Sequence, residues 1–109
     1  MSDNKYLLRY LPLFVDDVKN IALYIRDNLA NPYAANNLLD SIESAILDRL
    51  PICESFEIYN STRDRRYPYY RIYVNNFIIF YVVIDDEGPS KIMEVRRCLY
   101  SRRDMSGLL

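Results

Sequence analysis

The spacing of apolar residues changes from segment to segment along this chain, and each change marks an element. Lys5 to Leu11, KYLLRYL, is short, apolar and aromatic, and reads as a strand closed by Pro12. From Pro12 the period becomes helical: Phe14, Val18, Ile21 and Ile25, with Ala22 and Leu29, form one apolar stripe. Asp16 and Asp17 are expected in the first turn, where negative charge complements the helix dipole. Asn31-Pro32 supplies a capping side chain and a first-turn proline for a second helix. Its stripe is Ala35, Leu38, Leu39, Ile42, Ala45, Ile46 and Leu50, and Pro51 ends it. The few residues from Asn28 to Asn31 join the two into a helical hairpin.

Residues 51–68 have no clean period, carry turn formers and three arginines (Arg63, Arg65, Arg66), and read as an irregular connector. Beyond it the period falls to two. YYRIYV (Tyr69 to Val74) and FIIFYVVI (Phe77 to Ile84) flank Asn75-Asn76, a dipeptide that tolerates the positive φ of a two-residue hairpin turn. That turn pairs Val74 with Phe77 and sorts the side chains by face. Tyr70, Ile72, Val74, Phe77, Ile79 and Tyr81 share one face, and Tyr69, Arg71, Tyr73, Ile78, Phe80 and Val82 share the other. DDEGPS (Asp85 to Ser90) is a turn, and Lys91 to Leu99 is the last strand. The order β-α-α-β-β-β predicts an α+β domain with the helical hairpin packed on one face of a mostly antiparallel four-stranded sheet. Two helices cover one face only, so the face carrying Tyr69, Arg71, Tyr73, Ile78 and Phe80 is expected to meet solvent or a partner.

Composition narrows the class. A chain of 109 residues without repeats or linkers fits one domain over 1–109, and eleven tyrosines with four phenylalanines mark a folded globule. Cys53 and Cys98 lack CxxC spacing and the chain has no histidine, so the pattern implies no metal or redox cofactor. No basic leader precedes a long apolar run, and no window approaches the ~18 apolar residues of a membrane span, which reads as a cytoplasmic protein with no membrane partner. The net charge is −1, but residues 1–57 hold five Lys/Arg against nine Asp/Glu, and residues 58–109 hold nine against six. Four of those arginines crowd one stretch, VRRCLYSRRD (Val95 to Asp104), where they surround Tyr100. Guanidinium groups keep their charge in any environment and grip carboxylates or phosphates through paired hydrogen bonds. The cluster therefore reads as an anion-recognition point.

The element order, the segment FYVVIDDE (Phe80 to Glu87) and the ending VRRCLYSRRD resemble the RelE/ParE family of bacterial type II toxins, small proteins held inactive by a cognate antitoxin in plasmid-stabilisation-like modules. The likeness runs from Arg9-Tyr10-Leu11-Pro12 onward. It implies the β-α-α-β-β-β fold and an antitoxin partner, and it leaves open two targets. RelE-like members cut mRNA on the ribosome, using basic residues on the open sheet face and a tyrosine or histidine near the C-terminus. ParE-like members bind and trap DNA gyrase.

Cleavage of RNA through its own 2′-hydroxyl needs a base, an acid and positive charge on the phosphate. Histidine, the usual group near neutral pH, is absent. Where nuclease members carry an arginine before the apolar run this chain has Ile78, and the preceding strand offers only Arg71. SRRD matches their GKRE-like segment and aligns Arg103 with a phosphate-binding arginine, but the chain ends in Leu108-Leu109 where their tyrosine stands. As a nuclease it would rely on Arg71, Arg103 and Tyr100. A sequence pI of 5.4 also differs from the basic surface of a protein that docks in a ribosome. Conversely, RCLYSRRD resembles the R-V-L-H-G-R-R-D ending of ParE-like members, with Tyr100 in the histidine position and Ser101 in the glycine position. The ParE-like branch is the better match, and it implies that Arg71, Arg97, Tyr100, Arg102 and Arg103 meet the target or the antitoxin. A degenerate member that only binds its antitoxin is a third reading, and the assembly is left open between a homodimer and a hetero-oligomer with the antitoxin.

Each of these residues also has a structural role to weigh. Arg96 and Arg97 are strand neighbours facing opposite ways, with Glu94 and Asp104 as available ion-pair partners. Arg63, Arg65 and Arg66 fit a solvated loop, Tyr81 fits packing against the helices, and Cys98 fits a small buried apolar residue.

Overall fold

A computed structural model describes residues 6–59 and 66–102 of the chain. β1 (Tyr6–Tyr10) leads into α1 (Pro12–Leu23), which widens into a π-helical turn at Tyr24–Asn28. α2 (Pro32–Arg49) follows and tightens into a 3₁₀ turn at Leu50–Ile52. β2 (Tyr70–Val74), β3 (Phe77–Ile84) and β4 (Lys91–Tyr100) complete the order predicted from the sequence. The strands lie in the order β1-β4-β3-β2, antiparallel throughout except for β1, which runs parallel to β4. The sheet is therefore mixed at one edge.

Local chemistry accounts for the element ends. The Asn31 side chain accepts a hydrogen bond from the Ala34 N–H at 3.0 Å, and Pro32 opens the helix where its missing N–H costs nothing. Asn75 takes the hairpin turn at φ +53°, which sets Val74 opposite Phe77 as the turn length requires. The first helix differs from its simple periodic reading. Leu29 N–H reaches the Tyr24 carbonyl at 3.3 Å, a five-residue step that turns the stripe away, so Leu29 stands 57% exposed outside the core.

The main core lies between the helices and the sheet. Phe14, Leu38, Ile42 and Ile46 pack on Ile72, Ile79, Tyr81, Met93, Val95 and Cys98. Each such aliphatic side chain contributes about 1.5–3 kcal/mol on full burial. The second sheet face corrects the expectation of an open aromatic surface. Tyr69, Ile78, Phe80, Val82, Ile84, Ile92 and Leu99 are buried there as a second core, against which Tyr59 and Tyr67 of the connector pack. Tyr59 and Tyr69 meet the Phe80 ring edge-on, with centroids 5.5 and 5.9 Å away. The physical reason is in β3 itself: FIIFYVVI is apolar at every position, and a strand with no polar alternation needs cover on both faces.

A bulge between Phe80 and Tyr81 leaves Arg96 as the extra residue of β4. Glu94 is the buried charged side chain among the described residues, and two arginines hold it on the second face. Arg9 Nε donates to it at 2.7 Å and Arg96 Nε at 2.8 Å, while Glu87 offers Arg9 a second carboxylate at 3.3 Å. A buried carboxylate persists only when paired in this way.

The link between the helices carries strain, because Ala30 sits at φ +51°. A left-handed conformation costs a non-glycine residue about 1–2 kcal/mol. Ala30→Gly should raise the unfolding free energy by about 0.5 kcal/mol and Ala30→Val lower it by about 1–2 kcal/mol, measured by urea denaturation.

Candidate functional site

β1 stops at Tyr10 opposite Val95, and Leu11 N–H closes the ladder on the Val95 carbonyl at 3.0 Å. From Arg96 onward no strand among the described residues lies beside the outer edge of β4. α1 lies there instead, and the Asp17 carboxylate takes the ladder's place by accepting the Cys98 N–H at 3.0 Å. The same carboxylate receives Arg97 from two sides, Nε at 2.8 Å and Nη2 at 3.0 Å. Both side chains are about five-sixths buried, with relative exposures of 16% for Arg97 and 15% for Asp17. The hydrogen bond to Asp17 raises the Arg97 pKa above its ordinary value. Burial, with Asp17's charge adding to it, pushes the Cys98 thiol up to about 12. Arg97, expected to be open to an anionic ligand, is thus engaged by α1 through Asp17, whereas Glu94 is held by Arg9 and Arg96.

The other residues predicted from the sequence separate onto two faces. Arg71 lies opposite Phe80 on the connector-covered face, its guanidinium 4.7 Å from the Tyr59 ring and 5.7 Å from the Tyr73 ring. Tyr100 lies opposite Phe77 on the helix side, with ring centroids 5.8 Å apart. Arg71 and Tyr100 therefore do not converge. Arg102 is exposed and forms no ion pair among the described residues, whereas Arg96 is committed to Glu94 and Arg66 to Asp86. Arg63, Arg65, Arg103, Asp104, Leu108 and Leu109 lie outside the described residues.

Sequence reasoning missed Arg49. Its guanidinium lies 3.5 Å over the Phe56 ring and donates to the Arg71 carbonyl and the Tyr81 hydroxyl, each at 3.0 Å. Tyr81 in turn donates to the Cys53 carbonyl at 2.7 Å. Burial pushes the Tyr81 hydroxyl up to about 12, with Arg49 acting against that shift. The available signal was the tyrosine: a core phenol needs a polar partner, and Arg49 falls three residues after Ile46 on the buried stripe.

Fixing α1 at the sheet edge leaves an apolar groove on each side of it. The outer one, about 410 Å³, lies between α1 and α2 and is lined by Tyr10, Phe14, Val15, Val18, Leu23 and Leu39. The sheet-side one, about 640 Å³, is lined by Ile21, Tyr24, Ile25 and Leu29 against Phe77 and Tyr100. Exposed apolar surface on this scale marks a site for another macromolecule.

Fold and surface together define a small α+β domain with an apolar groove on either side of its first helix. The family described as ParE toxin of type II toxin-antitoxin system, parDE, matches residues 8–105, and the chain belongs to that family. A search of curated proteins finds no match. No helix among the described residues is long and apolar enough to cross a membrane.

If Asp17–Arg97 is a structural clasp, Asp17→Ala and Arg97→Ala should each cost about 2–4 kcal/mol of stability. The double variant should then cost no more than about the larger single loss, as measured by a denaturant double-mutant cycle. Additive losses would show that the two side chains act independently.

Proposed function

We propose that this toxin arrests growth by binding DNA gyrase in the cytoplasm, and that its cognate antitoxin silences it by filling the groove between α1 and α2. Family membership supports the toxin–antitoxin part of the reading. The observation that carries the choice of binding over cleavage is the division of the candidate catalytic groups. Transfer through a 2′-hydroxyl needs base, acid and phosphate ligand around one atom. Here Arg71 and Tyr100 lie on opposite faces of the sheet, and Arg97 is neutralised by Asp17.

The antitoxin assignment rests on the outer groove. Val15, Leu23 and Leu39 are large apolar side chains exposed along its rim, and a helix with apolar residues at i, i+3, i+4 and i+7 would bury them. The resulting complex is a hetero-oligomer of toxin and antitoxin.

A second reading has one observation in its favour. Arg71 lies among Tyr59 and Tyr73, and tyrosines interleaved with an arginine are the parts of a single-stranded nucleic-acid platform. This would suit the ribosome-dependent mRNA endonuclease.

The two readings predict opposite results. On the gyrase reading the purified protein inhibits DNA supercoiling by gyrase, and its expression triggers DNA-damage signalling while translation continues. Message cut on ribosomes, with supercoiling unaffected, would overturn it. Leu39→Glu should weaken antitoxin binding tenfold or more, by calorimetry, without unfolding the protein, because Leu39 is on the groove rim.

A further inference from the structure

We infer that the sheet-side groove of α1 is a second docking site for the same antitoxin chain, taking a large apolar side chain in the groove and a neighbouring carboxylate on Arg102. The inference rests on the toxin–antitoxin reading above and names the chemistry of a contact that reading does not contain.

Continuity is the first support. Leu23 lines the outer groove and Tyr24, the next residue, lines the inner one. A segment that fills the outer groove reaches the inner one by passing the end of α1, where the exposed side chains of Leu23 and Tyr24 stand one residue apart.

The second support is the shape of the π-helical turn. Residues five apart in an α-helix face different directions, whereas the wider turn, closed by Leu29 N–H on the Tyr24 carbonyl, brings Leu29 back toward the side of Tyr24. Tyr24, Leu29 and Tyr100 then stand 54%, 57% and 42% exposed around one concavity. An ordinary helix would not set these two side chains along one wall.

Charge is the third support and selects the occupant. Ten lysines and arginines fall among the described residues, and six of them (Arg9, Arg26, Arg66, Lys91, Arg96, Arg97) are in ion pairs. Arg49 and Arg71 rest on aromatic rings. That leaves Lys19 and Arg102 as the exposed cations without an ion pair among the described residues. Lys19 lies on the rim of the outer groove. Arg102 lies two residues beyond Tyr100, in a turn held to the inner rim by Ser101 N–H on the Asn76 carbonyl at 2.8 Å. No acidic side chain among the described residues lines the inner groove, and Asn20 and Asn76 add polar amides to its wall. A neutral aromatic pocket with an exposed arginine at its edge, in no ion pair among the described residues, complements an apolar residue followed by Asp or Glu.

The test is calorimetric titration of the full-length chain with the protein encoded directly beside its gene, using Tyr24→Ser, Leu29→Ser and Arg102→Glu. All three positions are exposed, and circular dichroism checks that the variants fold. Each variant should weaken binding tenfold or more. Arg102→Glu should regain affinity when an acidic residue in the partner's toxin-binding segment is replaced by lysine. If the wild-type chain does not bind that protein, the toxin–antitoxin reading fails and this inference fails with it. If the wild type binds and the three variants bind equally well, the second site alone is overturned. Variants that keep antitoxin affinity but no longer arrest growth would assign the groove to the target instead, and would likewise overturn the inference.

Discussion

One carboxylate decides where the first helix lies. β1 is too short to accompany β4 to its end, and Asp17 takes over at the point where pairing stops, accepting a strand N–H and an arginine fork together. A bidentate pair between two mostly buried side chains is directional as well as strong, so α1 is held along the sheet edge at one angle. Both apolar grooves beside α1 follow from that placement. The outer groove exists because α2 packs beside α1, and the inner groove exists because the end of α1 overhangs Phe77 and Tyr100.

The same clasp changes the meaning of the arginine-rich ending. Four arginines in ten residues suggest a positive pole. In the folded chain Arg97 is committed to α1 and Arg96 to Glu94, so two of the four serve the fold. Glu94 lies beneath Arg9 and Arg96 because an unpaired carboxylate on that face would be costly to bury. Of the four arginines in this ending, Arg102 in the turn after β4, beside the tyrosine-lined groove, is exposed and forms no ion pair among the described residues.

Much of the architecture was legible from period alone. The Asn31-Pro32 helix start, the Asn75-Asn76 turn and the register it imposes on β2 and β3 are local decisions made by residues adjacent in sequence. Long-range decisions were less legible. The pairing of Asp17 with Arg97 spans 80 positions, and nothing near either residue announces it. The π-helical turn, closed by Leu29 N–H on the Tyr24 carbonyl, breaks the 3.6-residue period, so the periodic stripe wrongly included Leu29. The covered second face was readable in principle. FIIFYVVI has no polar position in eight, and such a strand needs two apolar layers whatever the helix count.

The central claim is that partners engage this protein along both sides of α1, not on the connector-covered face of the sheet. Amide hydrogen exchange on the complex with the protein encoded beside it tests this most directly. Slowed exchange is expected at residues 12–29 and at the edge formed by Asn76, Phe77 and Tyr100, with β2 unchanged around Arg71. Protection confined to Tyr69–Tyr73 and the Tyr59 bridge, with α1 unaltered, would contradict it.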